Sequence, residues 1–210
     1  MNCKVCGSGD IALYARNKKR EFLRCSRCEL VFVPEQFLLT TAQERTRYEL
    51  HDNSIENKGY ADFLEKIVTV IMERFPVEYT ILDFGSGAGA VLGTLLHKKG
   101  YSCESYDPLF NIQCNDSTKT YDIIVICEVI EHLRLLQDDL AFINKRLKPN
   151  GTVIIRTQLY PDAAEFLKWW YIQDLTHINF FSPLTIDFVA SQLNRTVSLT
   201  AERDIFLLSV

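Results

Sequence analysis

The chain has 210 residues, of which 47% are hydrophobic and 11% aromatic, so it can bury a core as one main domain with a small additional module. It contains no apolar run of the roughly 20 residues needed to cross a membrane, and residues 1–4 lack the apolar stretch of a signal peptide. We therefore expect a cytoplasmic protein. The formal charge of −4 combines about +4 in the first 30 residues with about −8 in the remainder, so only the N-terminal segment is expected to attract polyanions.

Two pairs of cysteines mark the N-terminal segment. Cys3 and Cys6 form one Cys-x-x-Cys knuckle, and Cys25 and Cys28 form a second. Each knuckle directs two thiolates at one ion, so two knuckles complete a closed tetrahedral site without a position for water. We predict a zinc ribbon over residues 1–38 that holds a structural Zn²⁺ or another tetrahedral thiolate metal such as iron. A redox-active dithiol is the alternative.

Residues 39–79 are predicted to form a helical extension, or cap, of the following domain. Apolar residues recur at three- and four-residue steps between positions 60 and 75, which indicates one face of a helix that stops at Pro76. An earlier helix or turn is predicted over residues 41–50, and the polar residues 51–59 are predicted to form a loop. Because loops between rigid elements often carry binding residues, His51, Asn53 and Tyr60 are candidate binding residues.

From residue 80 to the C-terminus, short apolar runs alternate with helix-like segments, which predicts an α/β domain with a mostly parallel sheet. A strand over residues 80–84 leads into the run Asp83-Phe84-Gly85-Ser86-Gly87-Ala88-Gly89 and then into a helix over residues 91–99. Glycines at such turns permit positive φ and leave no Cβ between the backbone and a ligand. Together with the free N–H groups of the next helix, they predict a nucleotide-type cofactor site.

The end of the second strand, residues 102–106, carries the acidic residue Asp107. It lies about twenty residues beyond the glycine loop, where a carboxylate can accept hydrogen bonds from the two hydroxyls of a cofactor ribose. A buried strand over residues 121–126 follows, and its carboxyl end continues as Cys127-Glu128-Val129-Ile130-Glu131-His132. Ligands bind beyond the carboxyl ends of strands in open α/β sheets, so this run is expected to border the same site.

The remaining elements complete the sheet. We predict a helix over residues 135–147, a turn over residues 148–151 and a strand over residues 152–157. A helix from Pro183 to about residue 193 is followed by strands over residues 196–201 and 204–210. These last two strands are predicted to form an antiparallel hairpin at the edge of the sheet.

Four motifs in order make the chain resemble the class I S-adenosylmethionine-dependent methyltransferases: the glycine loop, Asp107, the strand-and-turn run from Tyr121 to His132, and the turn before the strand at residue 152. The whole chain is similar to a bacterial group of these enzymes that carries an N-terminal four-cysteine ribbon. The resemblance implies a Rossmann-like methyltransferase sheet flanked by helices, occupying residues 80–210, with S-adenosylmethionine as cofactor. It implies these cofactor-binding residues: Tyr60, Asp83, Gly85, Ser86, Gly87, Gly89, Asp107, Pro108, Cys127, Glu128 and Val129.

The segment between Asp107 and Asp122 departs from the broad family. It has only fourteen residues, too few for the usual helix and third strand, and it offers no obvious acidic residue for the adenine amine. Asn115 and Asp116 are the candidate substitutes. The rival assignment of the glycine loop is a nicotinamide dinucleotide site, but there the pattern G-x-G-x-x-G is expected, and here the third glycine, Gly89, comes one residue early.

The acceptor side of the pocket is predicted in the aromatic segment that follows the strand at residues 152–157. His177 is the candidate catalytic residue, because a hydroxyl, amide or acidic carbon needs a general base and histidine is the usual one. The alternative is that His177 bonds Asp174 and only shapes the loop. His132, Trp170 and Tyr171 are further candidate substrate residues, beside His51 and Asn53.

Three functions are compatible with these motifs. The first is methylation of a small molecule such as a sugar or another metabolite, which the acidic body of the chain favours. The second is methylation of RNA or protein gripped by the basic ribbon, with binding that weakens steeply as salt rises. The third is a non-catalytic zinc-containing binding module. The chain lacks the Asn/Asp-Pro-Pro-Tyr/Phe motif, which disfavours methylation of the amino groups of DNA bases.

Overall fold

The computed structural model describes residues 1–49, 53–114, 116 and 118–210. The strands are β1 (Ile11–Arg16), β2 (Glu21–Cys25), β3 (Val31–Phe32), β4 (Thr80–Phe84), β5 (Ser102–Tyr106), β6 (Tyr121–Cys127), β7 (Leu147–Arg156), β8 (Asn179–Phe180), β9 (Thr196–Leu199) and β10 (Ile205–Ser209). The helices are α1 (Thr41–Glu49), α2 (Lys58–Arg74), α3 (Val91–Lys98), α4 (Leu136–Arg146), α5 (Ala163–Phe166) and α6 (Pro183–Gln192). Within the described ranges, no helix has both the length and the apolarity that crossing a bilayer requires.

The larger sheet has six strands in the order β5-β4-β6-β7-β10-β9. The first four strands are parallel, and β10 and β9 are antiparallel to their neighbours. The predicted parallel sheet, with an antiparallel hairpin at its edge, is therefore confirmed. The carboxyl ends of β4, β5, β6 and β7 all lie along one edge, which is where this topology places a ligand.

The two faces of this sheet are covered by different helices. Along β6, Ile123 and Val125 belong to the core formed with α2 and α3, whereas Ile124 and Ile126 belong to the core formed with α4 and α6. Successive side chains of a strand point to opposite faces, so a strand covered on both faces is apolar throughout. Each fully buried side chain of this kind stabilises the fold by roughly 1.5–3 kcal/mol.

The smaller sheet joins the N-terminal ribbon to the second half of the chain. Its order is β1-β2-β3-β8, and β3 pairs with β8 through Val31 opposite Phe180 and Phe32 opposite Asn179. The predicted ribbon contributes β1, β2 and β3, but nothing in the local sequence pattern indicated β8. The ribbon sheet therefore includes a strand that lies directly after His177.

Two local segments differ from a simple strand–helix alternation. The described residues between Asp107 and Asp122 form a 3-10 turn, Pro108–Phe110, and a single bridge between Asp107 and Ile112, so the segment adds no strand to the sheet. The turn predicted over residues 148–151 is instead the first half of β7, which passes through an irregularity opposite Tyr121–Ile123. Arg195 holds it extended by donating to the carbonyl oxygens of Lys148 and Pro149 at 3.0 and 2.7 Å.

Candidate active site

A cavity of about 1080 Å³ opens at the carboxyl ends of the parallel strands. The strand order assigns its parts: Asp107 follows β5, the glycine loop follows β4, Glu128 follows β6, and the segment that contains Tyr171 and His177 follows β7. The half over β5 and β4 therefore carries most of the predicted cofactor residues, and three others, Cys127, Glu128 and Val129, lie at the end of β6. The half over β6 and β7 carries the predicted acceptor residues.

The glycine loop turns by means of left-handed backbone at two positions. Gly85 has φ of 82° and Gly87 has φ of 66°, a region that side chains disfavour. A Cβ at Gly85 would lie 2.4 Å from the Val129 side chain, whereas a Cβ at Gly87 would meet nothing within 4 Å. The backbone of Gly87 therefore borders open cavity space, as the approach of a ligand to a backbone cradle requires.

Two buried carboxylates lie next to this loop, and Asp107 holds it by hydrogen bonds. Asp107 accepts hydrogen bonds from the backbone N–H of Gly87 at 2.9 Å and of Leu109 at 3.0 Å, which fixes the loop and the turn after β5. Asp83 is 3% exposed at the end of β4, and burial, together with the charge of Asp107, raises its pKa to about 7. A cationic ligand group above these residues would relieve this concentration of negative charge.

The cavity brings together most of the residues predicted from the sequence. Asp83 and Ser86 are buried and do not line the cavity, and His51 lies outside the described residues. The predicted residues that line the cavity are Asn53, Tyr60, Gly85, Gly87, Gly89, Asp107, Pro108, Cys127, Glu128, Val129, His132, Trp170, Tyr171 and His177. The roles assigned to all of these residues stay predictions.

The turn after β6 places two glutamates around the hydroxyl of Tyr171. Glu128 has φ of 51°, an unusual backbone for a residue with a side chain. The Tyr171 hydroxyl lies 3.1 Å from Oε2 of Glu128 and 2.6 Å from Oε1 of Glu131. Burial raises the pKa of Glu128 to about 8 and that of Glu131 to about 7, and the mutual repulsion of the two carboxylates adds to the shift of Glu128.

Both histidines of the predicted acceptor side are oriented by backbone carbonyl groups. The Nδ1 atom of His177 is 2.8 Å from the carbonyl oxygen of Tyr171, and Nδ1 of His132 is 2.9 Å from that of Thr176. Burial lowers the pKa of His132 and lowers the pKa of His177 to about 3, so both imidazoles are neutral near pH 7. The Asp174 carboxylate bonds Thr176, and the ring of His177 is oriented through Tyr171.

Helix α1 forms a wall of the cavity that the sequence pattern did not reveal. Glu44, Arg47 and Tyr48 line the cavity from this helix. The ring of Tyr48 packs edge-on against His132 at 5.3 Å, and Arg47 donates to the Asp174 carboxylate at 3.3 Å. The helix is strongly polar and has no buried residue, so the sequence predicted a helix or turn here but not its position in the cavity wall.

The part of the cavity next to Asp107 includes apolar residues from the 3-10 turn. Leu109 and Phe110 line it together with Pro108. Of the two residues suggested for the adenine amine, Asn115 lies outside the described residues, and Asp116 is exposed, bonds Thr118 and does not line the cavity. An apolar wall suits the faces of an adenine ring, and such a wall was not apparent from the spacing of acidic residues alone.

The four N-terminal cysteines converge although they come from two separate knuckles. Sγ of Cys3 lies 3.4 Å from Sγ of Cys28, and Sγ of Cys6 lies 3.5 Å from Sγ of Cys25. These separations exclude disulfides, whose sulfurs are about 2.05 Å apart, and approach the roughly 3.8 Å between thiolates of a tetrahedral zinc site. The donor set therefore fits a thiolate-bound ion.

The chain matches a family model and a curated relative of the same class. A family model described as a methyltransferase domain matches residues 54–196, more than half of the chain. The chain is also similar to a ubiquinone biosynthesis O-methyltransferase of Rickettsia bellii, with 31% identity in an alignment that covers 60% of this chain and 70% of that protein.

Solved structures share the fold at low sequence identity. Magnesium protoporphyrin IX methyltransferase from Synechocystis PCC 6803, with bound SAH, gives a TM-score of 0.56 at 13% identity and covers 81% of this chain and 95% of its own. A SAM-dependent methyltransferase from Archaeoglobus fulgidus gives a TM-score of 0.51 at 19% identity, covering 66% and 71%. The sheet described above is therefore the sheet of these proteins.

Proposed function

Because the chain belongs to the methyltransferase domain family and is an S-adenosylmethionine-dependent methyltransferase, we propose that it methylates a hydroxyl oxygen of a small molecule. The relative in Rickettsia bellii is named as an O-methyltransferase of ubiquinone biosynthesis, which supports this class of acceptor. The volume of about 1080 Å³ also supports it. Ligand pockets usually measure about 300–1,000 Å³, so this one has room for the cofactor and a small acceptor together.

The observation that carries the proposal is the position of the polar cluster over β6 and β7. Glu128, His132, Tyr171 and His177 line the cavity beside the glycine loop, where they would face an acceptor placed next to the cofactor. Methyl transfer requires the nucleophile, the methyl group and the leaving sulfur in line, and such alignment supplies roughly 7–11 kcal/mol. A hydroxyl must also lose its proton, for which this cluster offers nitrogen and oxygen acceptors. The role of His177 as general base stays a prediction.

In this proposal the cofactor half of the cavity binds S-adenosylmethionine through Asp107 and the glycine backbone. We expect Asp107→Ala to weaken S-adenosylhomocysteine binding about 100-fold, because it removes the proposed ribose acceptor and a bond that shapes the loop at Gly87. Isothermal titration measures the affinity. Asp62→Ala, which changes an exposed aspartate on α2, is the matched control and should bind normally. Tight binding by a folded Asp107→Ala variant would refute the ribose assignment.

We also propose a structural Zn²⁺ in the ribbon, held by Cys3, Cys6, Cys25 and Cys28. The thiolates would form a closed site, so the ion would contribute folding free energy and no chemistry. Metal analysis of the purified chain should find a zinc ion that resists dialysis against a weak chelator. Cys25→Ser should lose it and unfold the ribbon, as hydrogen exchange would show, whereas Cys114→Ser, outside the cluster, should retain it. Zinc retained by Cys25→Ser would contradict the site.

A further inference from the structure

Three side chains with metal-binding atoms meet beside the acceptor half of the cavity, where His132 and His177 line the wall and Glu131 is fully buried. The ligand atoms of Glu131, His132 and His177 all lie within 4.8 Å of one another. Oε1 of Glu131 is 3.9 Å from Nε2 of His132, and the two imidazole rings are 4.7 Å apart at their centres. A cation bound about 2.1 Å from each donor needs donors roughly 3.0–3.5 Å apart. Small rotations of the side chains would reach that geometry.

The tautomers of the two histidines leave the correct nitrogen atoms available. A carbonyl oxygen only accepts hydrogen bonds, so Nδ1 of His132 and Nδ1 of His177 each carry the proton that is donated to Thr176 and Tyr171. Each Nε2 then holds a free lone pair. Histidines that bind metals typically donate their other ring N–H to a carbonyl or carboxylate, which fixes the ring and its tautomer. His177 is 8% exposed, and among the described residues its Nε2 has no hydrogen-bond donor.

The two glutamates of the cluster form no ion pair with a lysine or arginine among the described residues. Glu131 is fully buried and accepts hydrogen bonds from the hydroxyls of Tyr171 and Thr157, but no lysine or arginine among the described residues pairs with it. Oε1 of the neighbouring Glu128 is buried and has no hydrogen-bond partner within the part of the chain that the structure describes. Buried carboxylates are normally paired with a cation or bound to a metal. Two carboxyl groups beside two imidazole lone pairs therefore form a set of donors that suits a cation.

We propose that Glu131, His132 and His177 bind a divalent first-row metal ion such as Mn²⁺, Fe²⁺, Co²⁺ or Zn²⁺, with Glu128 as a further oxygen ligand. The mixed nitrogen and oxygen donors suit these ions better than Ca²⁺ or Mg²⁺, which prefer oxygen alone. The site is distinct from the four-thiolate site of the ribbon. Four protein ligands leave two positions open on a six-coordinate ion, which is the arrangement of a metal that contacts a substrate.

The proposed ion would act on the acceptor, and this part rests on the proposed O-methyl transfer. A hydroxyl bound at an open position loses its proton to solvent more readily, because the cation stabilises the oxyanion. The oxygen then forms the new O–CH₃ bond while the CH₃–S bond breaks, and sulfur keeps the electron pair as S-adenosylhomocysteine. Nε2 of His177 has one lone pair, so as a ligand it is not the general base. The ion, in place of a histidine base, would promote the loss of the hydroxyl proton of the acceptor.

The test is Mn²⁺ binding to the zinc-loaded full chain, measured by the loss of the free Mn²⁺ signal in electron paramagnetic resonance. The ribbon thiolates remain filled with zinc, so Mn²⁺ reports only the second site. We expect one Mn²⁺ per chain. His177→Ala and Glu131→Gln should weaken binding at least tenfold, the second variant keeping the size of the side chain. His97→Ala, which removes an exposed histidine on α3, is the control and should bind as the unchanged protein does.

The binding of S-adenosylhomocysteine, measured in the same samples, separates the possible failures. If the unchanged chain binds S-adenosylhomocysteine but no Mn²⁺, Co²⁺ or Zn²⁺ beyond the ribbon ion, the metal site is refuted and the proposed function stands. Mn²⁺ affinity that is equal in the unchanged chain and in folded Glu131→Gln also refutes it. If the cation binds as expected but no O-methylated product forms with any hydroxyl acceptor, the proposed function fails while the metal site remains.

Discussion

Arg20→Ala is expected to lower the free energy of unfolding by about 3 kcal/mol and the turnover number about 100-fold. Arg20 precedes β2 in the ribbon and is 2% exposed. Its guanidinium donates to the carbonyl oxygens of Ile172 at 2.7 Å, Asp174 at 2.9 Å, Leu175 at 3.2 Å and His177 at 2.8 Å. Removing it leaves these acceptors without their donor in the folded state, and buried polar groups without partners carry a substantial cost.

The loss of turnover follows from the position of these carbonyl groups. They belong to the segment that carries His177, and a displacement of about 1 Å in a catalytic segment reduces rates by about two orders of magnitude. S-adenosylhomocysteine binding should change less than about threefold, because the glycine loop and Asp107, which are its main proposed contacts, follow β4 and β5. Denaturant unfolding, turnover and isothermal titration measure the three quantities.

Two further variants distinguish positioning from general destabilisation. Arg16→Ala removes another arginine of the ribbon, whose exposed ion pair with Glu21 contributes at most about 1 kcal/mol. It should leave stability and turnover nearly unchanged. Arg20→Lys keeps the charge but not the planar fork of donors, so its turnover should fall between those of Arg20→Ala and the unchanged chain. Normal turnover in Arg20→Ala would show that the ribbon does not hold the acceptor segment.

The cofactor half of the site was predictable because its determinants are local in sequence. A strand, a glycine turn and a helix follow one another directly in the chain. The glycines themselves therefore predict the positive φ that Gly85 and Gly87 adopt. Asp107 and Glu128 end the neighbouring strands, and the parallel order brings those ends together. The cysteine cluster was predictable for a similar reason, since two Cys-x-x-Cys knuckles within one short segment are typical of a thiolate metal site.

The acceptor half depends on contacts between residues far apart in the chain, which no local pattern encodes. Arg20 reaches across to the carbonyl oxygens of a loop more than 150 positions away. In the sequence it was one of several basic residues that give the first 30 residues a charge of about +4. The pairing of β3 with β8 and the position of α1 against His132 are equally remote. The sequence offered His132 and His177 as separate candidates. Only the structure shows that a backbone carbonyl group holds Nδ1 of each ring, which leaves the lone pair of each Nε2 free.

Asp83→Asn is expected to stabilise the cofactor-free protein by about 2–4 kcal/mol at pH 8 and by much less at pH 5. The folded structure raises the pKa of Asp83 from 3.8 to about 7, chiefly by burial and also through the charge of Asp107. Between pH 3.8 and about pH 7, the folded state holds the proton of Asp83 more tightly than the unfolded chain does. The contribution of Asp83 to stability is therefore full at low pH and is lost as pH rises through about 7, because a buried charge then replaces a neutral acid.

Asparagine stays neutral at every pH. Urea unfolding of Asp83→Asn and of the unchanged chain at pH 5 and pH 8 therefore isolates the contribution of the Asp83 charge to the free energy of unfolding. The same substitution should weaken S-adenosylhomocysteine binding at pH 8, since it removes negative charge from beneath the proposed methionine end of the cofactor. Asp62→Asn, on the exposed side of α2, should show neither effect. A stability difference between Asp83→Asn and the unchanged chain that is equal at the two pH values would mean that Asp83 titrates normally. If Asp83→Asn instead raises stability mainly at pH 8 and weakens S-adenosylhomocysteine binding there, the carboxylate destabilises the cofactor-free protein and is retained because it serves cofactor binding.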